Sequence, residues 1–402
     1  MGGRREEILN ATLRVIARDG IDGIRSTVVA AEAGVSPPLL HYYYPTLDEL
    51  VIAAYRYDAE RLWDRLPVAG IEAGPIQRLH AGMTDLLTVP GPGLRSTLMV
   101  WHEFVRRAIF DEDVCAAVHE RLQRWVDDSA ALVALAQEED AFPRGIAPRL
   151  AAVRFAALFA GVTAFELIGA VTTEWAERQM RDAVDGRASW RPVPAALRHP
   201  PQARTMPTPP EPTRDEQILD ATLRRIGTTG VKGVHFPEIA AEAEVSRSLP
   251  RYYFRTIDEL LAATMERLEL LEDGRMAARA AQVADAEELL FDLLLFEVAL
   301  DPGDMHDSWV AWNELLRLGC VDGAMRERAV GWTRGWQAQI AGQVRELQAA
   351  GRVPADVDPE EAAMRVACIA HGVGSALLIG LIDRDDYVRV LDWATADELR
   401  LA

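Results

Sequence analysis

Ile8-Leu9-Asn10-Ala11-Thr12-Leu13-Arg14 returns, 210 residues later, as Ile218-Leu219-Asp220-Ala221-Thr222-Leu223-Arg224. Ala30-Ala31-Glu32-Ala33 returns as Ala240-Ala241-Glu242-Ala243, and Val35-Ser36 as Val245-Ser246. Tyr42-Tyr43 and Asp48-Glu49-Leu50 return as Tyr252-Tyr253 and Asp258-Glu259-Leu260. Past position 50 the register slips by one residue and then holds. Trp101-x-Glu103 pairs with Trp312-x-Glu314, Trp125 with Trp336, Pro148 with Pro359, and Gly169 with Gly380. A register kept over more than 150 residues is a tandem duplication. The chain of 402 residues is therefore one architecture used twice.

Between the copies, residues 186–213 carry eight of the 22 prolines. So many prolines cannot lie inside a helix or sheet, and the segment reads as an extended, semi-rigid linker. The expected organisation is a head over 1–50, a body over 51–185, the linker over 186–213, a second head over 214–260 and a second body over 261–402.

Periodicity makes each copy all-helical. Ile8, Thr12, Leu13 and Ile16 recur at helical spacing, and Gly20 with Gly23 stops that first helix. A short helix over 27–33 follows. Gly34 supplies a residue able to turn left-handed, and Ser36 is placed to cap a third helix that tolerates Pro37 in its first turn. That helix carries His41-Tyr42-Tyr43-Tyr44 and ends at Pro45. Thr46-x-Asp48-Glu49 opens a fourth as a capping box. Two short helices joined by a glycine turn, the second tipped with aromatic and polar side chains, is helix-turn-helix geometry.

The run Ile-Leu-x-Ala-x-Leu, Gly-x-x-Gly, Ala-x-x-Ala-Gly-Val-Ser and Tyr-Tyr-Tyr-Pro-Thr-x-Asp-Glu-Leu resembles the N-terminal domain of TetR-type transcriptional regulators. Asp358-Pro359-Glu360-Glu361-Ala362-Ala363 with Gly372 resembles the start of that family's dimerisation helix. The resemblance implies that the third helix of each head lies in a DNA major groove. It assigns DNA contacts to Ser36, Pro37, His41, Tyr42, Tyr43 and Thr46, and in the second copy to Ser246, Arg247, Arg251, Tyr252, Tyr253 and Thr256. Hydroxyls and backbone N–H groups position phosphates, while arginine can read guanine with two hydrogen bonds. Tyr44 and Phe254 match a packing position of the family.

The two heads depart from the family pattern in different ways. Ser36–Thr46 holds no Lys or Arg, whereas the second copy places Arg247, Arg251 and Arg255 in the same stretch. The second copy also has Glu244 where the turn wants glycine, and Pro250 inside the reading helix. Unequal readers imply an operator with two non-identical half-sites. The resemblance also implies pairing through the last two helices of each copy. Within one chain this makes a monomeric pseudo-dimer; the alternative is a homodimer with four heads.

The bodies read as successive amphipathic helices rich in tryptophan. In the family such a bundle holds an effector, here expected to be a small and largely apolar molecule. Pocket candidates are Met99, Trp101, Phe104 and Phe159 in the first body, and Trp309, Trp312, Asn313, Trp336 and His371 in the second. His102, His119, His306 and His371 lack metal-ligand spacing, and Glu166 reads as a structural carboxylate. No phosphate loop, nucleophile elbow or carboxylate pair supports catalysis. No metal, no cofactor and no enzymatic activity are expected.

Composition narrows the partners. With 62 acidic against 43 basic side chains and a formal net charge of −19, the chain is no nonspecific coat for nucleic acid or anionic lipid. Each head nets only −2, with 5 basic and 7 acidic residues over 1–50 and 7 and 9 over 211–260, which leaves room for a selective reader. Cys115, Cys320 and Cys368 are too few and too scattered for a disulfide framework. There is no apolar leader and no uncharged apolar stretch of membrane-spanning length, so a cytoplasmic protein without membrane contact is expected. The function these features imply is a double-stranded DNA-binding regulator, a repressor released by its effector. The alternative is a helical small-molecule sensor or protein-interaction module whose heads have decayed.

Overall fold

The computed structural model describes residues 2–65, 73–84, 93–184, 211–295 and 302–401. Every regular element among them is helical, and the chain divides into two compact units, one built on each copy. Most of the 186–213 linker lies outside the described residues.

Unit 1 runs α1 (Gly2–Asp19), α2 (Ser26–Glu32), α3 (Pro37–Tyr43), α4 (Leu47–Arg65), α5 (Pro75–Thr84), α6 (Gly93–Ala108), α7 (Glu112–Glu138), α8 (Pro148–Ile168) and α9 (Thr173–Val184). Unit 2 repeats the order with α10 (Arg214–Thr229), α11 (Phe236–Glu242), α12 (Leu249–Tyr253), α13 (Ile257–Ala280), α14 (Ala286–Leu295), α15 (Pro302–Val321), α16 (Gly323–Ala349), α17 (Pro359–Leu378) and α18 (Arg384–Glu398). The duplication read from the sequence is thus a duplication of fold.

The heads form because one stripe of α1 is apolar. Ile8, Ala11, Val15 and Ile16 are completely buried, and α1 packs on α2, α4 and α6. In unit 2, Ile218, Ala221 and Ile226 do the same for α10 against α11, α13 and α15. Capping fixes where the fourth helices start. The Thr46 hydroxyl accepts the Glu49 N–H at 3.1 Å, and Thr256 accepts that of Glu259 at 3.0 Å. Caps of this kind contribute about 1 kcal/mol each.

In the bodies α7 packs on α5, α6 and α8, and α16 packs on α14, α15 and α17. α8 is apolar on all its faces: Leu150, Val153, Phe155, Leu158, Val162, Phe165 and Ile168 are buried. A helix apolar all round belongs in a core. By length and composition α8 could cross a membrane, but it carries Arg149, Arg154 and Glu166 and most of it is buried in the fold. The Glu166 carboxylate accepts the Thr173 hydroxyl at 2.9 Å and so joins α8 to the start of α9.

Candidate nucleic-acid interface and effector cavity

The third helix of each head is short, and its tyrosines stand out of it. Tyr42 and Tyr252 are each 79% exposed, although large aromatic side chains ordinarily seek burial. Each meets its neighbour edge-on, Tyr42 with Tyr43 at 5.5 Å between ring centres and Tyr252 with Tyr253 at 5.4 Å. Beneath them Tyr44 and Phe254 are buried, and the Tyr44 hydroxyl accepts the Arg5 Nε–H at 3.0 Å. Three consecutive aromatic residues thus divide into an exposed tip, a neighbour packed edge-on against it, and a buried anchor.

Local chemistry differs from the expectation at the start of α3. Ser36 stands at the cap position, but its hydroxyl makes no capping hydrogen bond. Pro37 and Pro38 have no N–H to offer, and the Leu39 N–H goes to the Ser36 carbonyl at 3.0 Å. Ser36, Pro37, His41 and Thr46 are exposed, while Tyr43 is half-buried. His41 donates Nδ1–H to the Pro45 carbonyl at 3.3 Å, which leaves Nε2 as an acceptor.

In the second head Pro250 shortens the reading helix to Leu249–Tyr253, with Ser246 and Arg247 in the turn before it. The proline falls within the first turn, where its missing N–H would have had no helical partner. Ser246, Arg247, Arg251, Tyr252, Tyr253 and Thr256 are all exposed. The Arg251 guanidinium lies over the Phe236 ring at 5.2 Å, so it must lift from that ring to reach a base. The turn before the helix needs a left-handed residue in both heads. Gly34 has φ +63°, and Glu244 takes the same conformation at φ +53°.

A buried carboxylate helps to join each head to its body. Glu103 on α6 accepts the Ile21 N–H at 2.9 Å, and the matched Glu314 on α15 accepts the Val231 N–H at 3.3 Å. Arg106 bonds both Glu103 and Asp22, at 3.2 and 3.1 Å, while Arg317 bonds Glu314 at 3.4 Å. Gly20 takes φ +73°, and a β-carbon there would stand 3.1 Å from the Glu103 carboxylate. The Gly-x-x-Gly stop is therefore also a docking point.

Unit 2 holds a partly open cavity of about 80 Å³. Trp309, Trp312 and Trp336 line it together with Trp332, Tyr387 and Glu272. Trp309 fits because Gly374 lacks a β-carbon; the indole occupies the place where one would be. Of the other two candidates, neither lines the cavity. Asn313 donates to the Trp309 carbonyl at 2.8 Å, and His371 stands behind Trp312, accepting its indole N–H at 3.2 Å.

The first-body candidates are packed instead. Phe104 is fully buried against Tyr55 with ring centres 4.6 Å apart, and burial pushes the Tyr55 hydroxyl up to about 12. Arg121 lays its guanidinium over Trp101 at 5.1 Å and over Tyr55 at 5.6 Å. Met99 is buried and Phe159 half-buried. Beside Phe159, the His102 Nε2–H donates to the Thr163 hydroxyl at 2.9 Å, which itself donates to the Phe159 carbonyl at 2.8 Å. Burial holds that imidazole down at about 4. Among the described residues no three His, Cys, Asp or Glu side chains gather as a metal site.

Two helix-turn-helix heads with exposed aromatic tips, each carried on a helical body, define a DNA-reading class of protein. The model of the TetR family of bacterial regulatory proteins matches residues 8–54 and again residues 218–264. The chain is 27% identical over 169 residues to the HTH-type transcriptional regulator PksA of Bacillus subtilis, covering 42% of this chain and 80% of that protein. It is 42% identical over 76 residues to the HTH-type transcriptional regulator BetI of Brucella suis, covering 19% of this chain but only 38% of the relative. A crystal structure of a TetR-family transcriptional regulator from Rhodococcus sp. is 29% identical, with a TM-score of 0.42, and covers 46% of this chain and 98% of that one. Each copy therefore opens on a stretch that matches the TetR-type head, and the chain carries that head twice.

Sequence reasoning missed Glu272, Trp332 and Tyr387 in the cavity, and Glu103 with Glu314 at the junctions. Trp332 was legible, because it stands one helical turn from Trp336. Glu272 was not, since Leu-Glu-Leu-Leu-Glu-Asp on α13 gives no sign of which acid faces inward.

Proposed function

We propose that the chain is a repressor of transcription that reads one operator with two unlike half-sites and lets go when a small molecule fills the unit 2 cavity. The observation that carries this reading is the strong exposure of Tyr42 on α3 and of Tyr252 on α12, each within a stretch matched by the TetR model. An exposed, unpaired phenol on a groove-sized helix is suited to phosphate and base-edge contact. The two copies pair through α8–α9 and α17–α18 of one chain, so that a single molecule presents both heads, about 34–36 Å apart on the duplex.

The release mechanism is a population shift biased by the ligand. Trp309, Trp312 and Glu314 share α15, and Glu314 holds the turn after α10. A molecule seated against the two indoles therefore acts on the helix that grips head 2.

Binding to the DNA flanking its own gene, followed by fluorescence anisotropy, tests the reading. Tyr42→Ala and Tyr252→Ala should each weaken binding at least tenfold, about 1.4 kcal/mol. If both variants bind as tightly as the parent, the assignment is wrong. One observation favours the second reading, a sensor with decayed heads: Glu244 holds a left-handed backbone that a working turn gives to glycine. No protected DNA alongside retained ligand binding would decide for it.

A further inference from the structure

We propose that the unit 2 cavity is built for an organic ammonium ion: its N–H group would donate to Glu272 while its alkyl groups lie against tryptophan faces. The inference rests on reading this cavity as the effector site, and it names the chemical class of that effector.

Glu272 is 5% exposed and lines the cavity. One of its carboxylate oxygens is satisfied, by Arg275 at 2.7 Å and by the Ser308 hydroxyl at 3.1 Å. The other, Oε2, is buried and has no hydrogen-bond partner. A buried carboxylate oxygen left without a donor is costly, and a donor brought by a ligand removes that cost. Trp309, Trp312, Trp332, Trp336 and Tyr387 line the same cavity. Trp312 and Trp332 meet edge-on with centres 4.7 Å apart. Aromatic faces carry the negative end of the ring quadrupole, so several rings with a carboxylate form a cage for a cation with apolar substituents.

The first copy shows what such rings hold. Arg121, at the position matched by Trp332, lays its own guanidinium over Trp101, which is matched by Trp312. In the second copy that position holds Trp332, which packs edge-on against Trp312 in place of the cation, and both indoles line the cavity of about 80 Å³. That volume suits an ammonium head of a few heavy atoms.

The test is calorimetric titration of the full chain with trimethylammonium chloride and with its neutral isostere tert-butanol, in the absence of DNA. Trimethylammonium should bind at least tenfold more tightly than tert-butanol. Glu272→Gln should abolish that difference, and Trp332→Leu should weaken trimethylammonium at least fivefold, with melting temperatures checking that both variants fold. Equal affinity for the two probes in the parent chain, or no binding of either, overturns the proposal without reference to any variant. The regulator reading fails separately. Ammonium binding by a chain that protects no DNA leaves this inference standing and sinks the repressor, and the converse result does the opposite.

Discussion

Glu244 is the residue at which the second copy departs most sharply from the conformational needs of its own fold. A left-handed backbone places the β-carbon against the following carbonyl, at a cost of about 1–2 kcal/mol that glycine avoids. Part of that gain is returned as the chain entropy glycine loses on folding. Glu244→Gly should therefore stabilise head 2 by about 1 kcal/mol, measured by denaturant unfolding, and Gly34→Ala should destabilise head 1 by a similar amount. An unchanged midpoint for both would refute the argument. His102 supports a prediction in pH. Its folded value lies near 4, below the ordinary 6.5, so the unfolded chain binds the proton more readily. Stability is complete above pH ~6.5 and falls as pH drops towards ~4, by at most about 3 kcal/mol. His102→Gln should flatten that slope in urea titrations across the window.

At the scale of the element, the best-defined joint lies between α13 and α14. Arg279 meets Asp292 with two parallel hydrogen bonds, at 2.8 and 2.7 Å, and both side chains are almost fully buried. Removing one partner leaves a buried charge uncompensated, so Asp292→Ala should cost about 3–5 kcal/mol, read as a fall in the unit 2 melting transition. The joint also shows why some features were legible and others were not. Helix starts were readable because caps and prolines act over three or four residues: Thr46 and Thr256 cap as their spacing requires. The anchor role of Tyr44 and Phe254 followed from the family pattern. Which charged residues turn inward was not readable. Glu103, Glu272, Arg279 and Glu314 sit among charges of identical type, and only tertiary packing separates them from the solvated ones. The same limit explains why Trp101 and Trp312, matched in sequence, differ in surroundings. Arg121 lies over Trp101, whereas the matched Trp332 meets Trp312 edge-on.

For the whole molecule, duplication followed by divergence sets the terms of DNA binding. Head 1 has no Lys or Arg between Ser36 and Thr46, while head 2 has exposed Arg247, Arg251 and Arg255 there. Since each neutralised phosphate contributes a slope of about −0.9 in log affinity against log salt, the electrostatic share of binding should fall mainly on head 2. Arg247→Gln or Arg255→Gln should each flatten the slope by nearly one, an effect with no counterpart in the matching stretch of head 1. The same asymmetry decides stoichiometry. A homodimer of ordinary family type presents identical heads and needs a palindrome, whereas unlike heads in one chain need a site without that symmetry. On the footprinted operator, the mass of the protein–DNA complex should exceed that of the duplex by one chain, 44.4 kDa. Replacing one half-site by a symmetric copy of the other, which makes the operator a palindrome, should weaken binding at least tenfold, because one head would then face the sequence meant for its twin. A gain of two chains, or an operator that binds as well once made palindromic, would show that the copies work as two separate dimer halves and would sink the intramolecular pair.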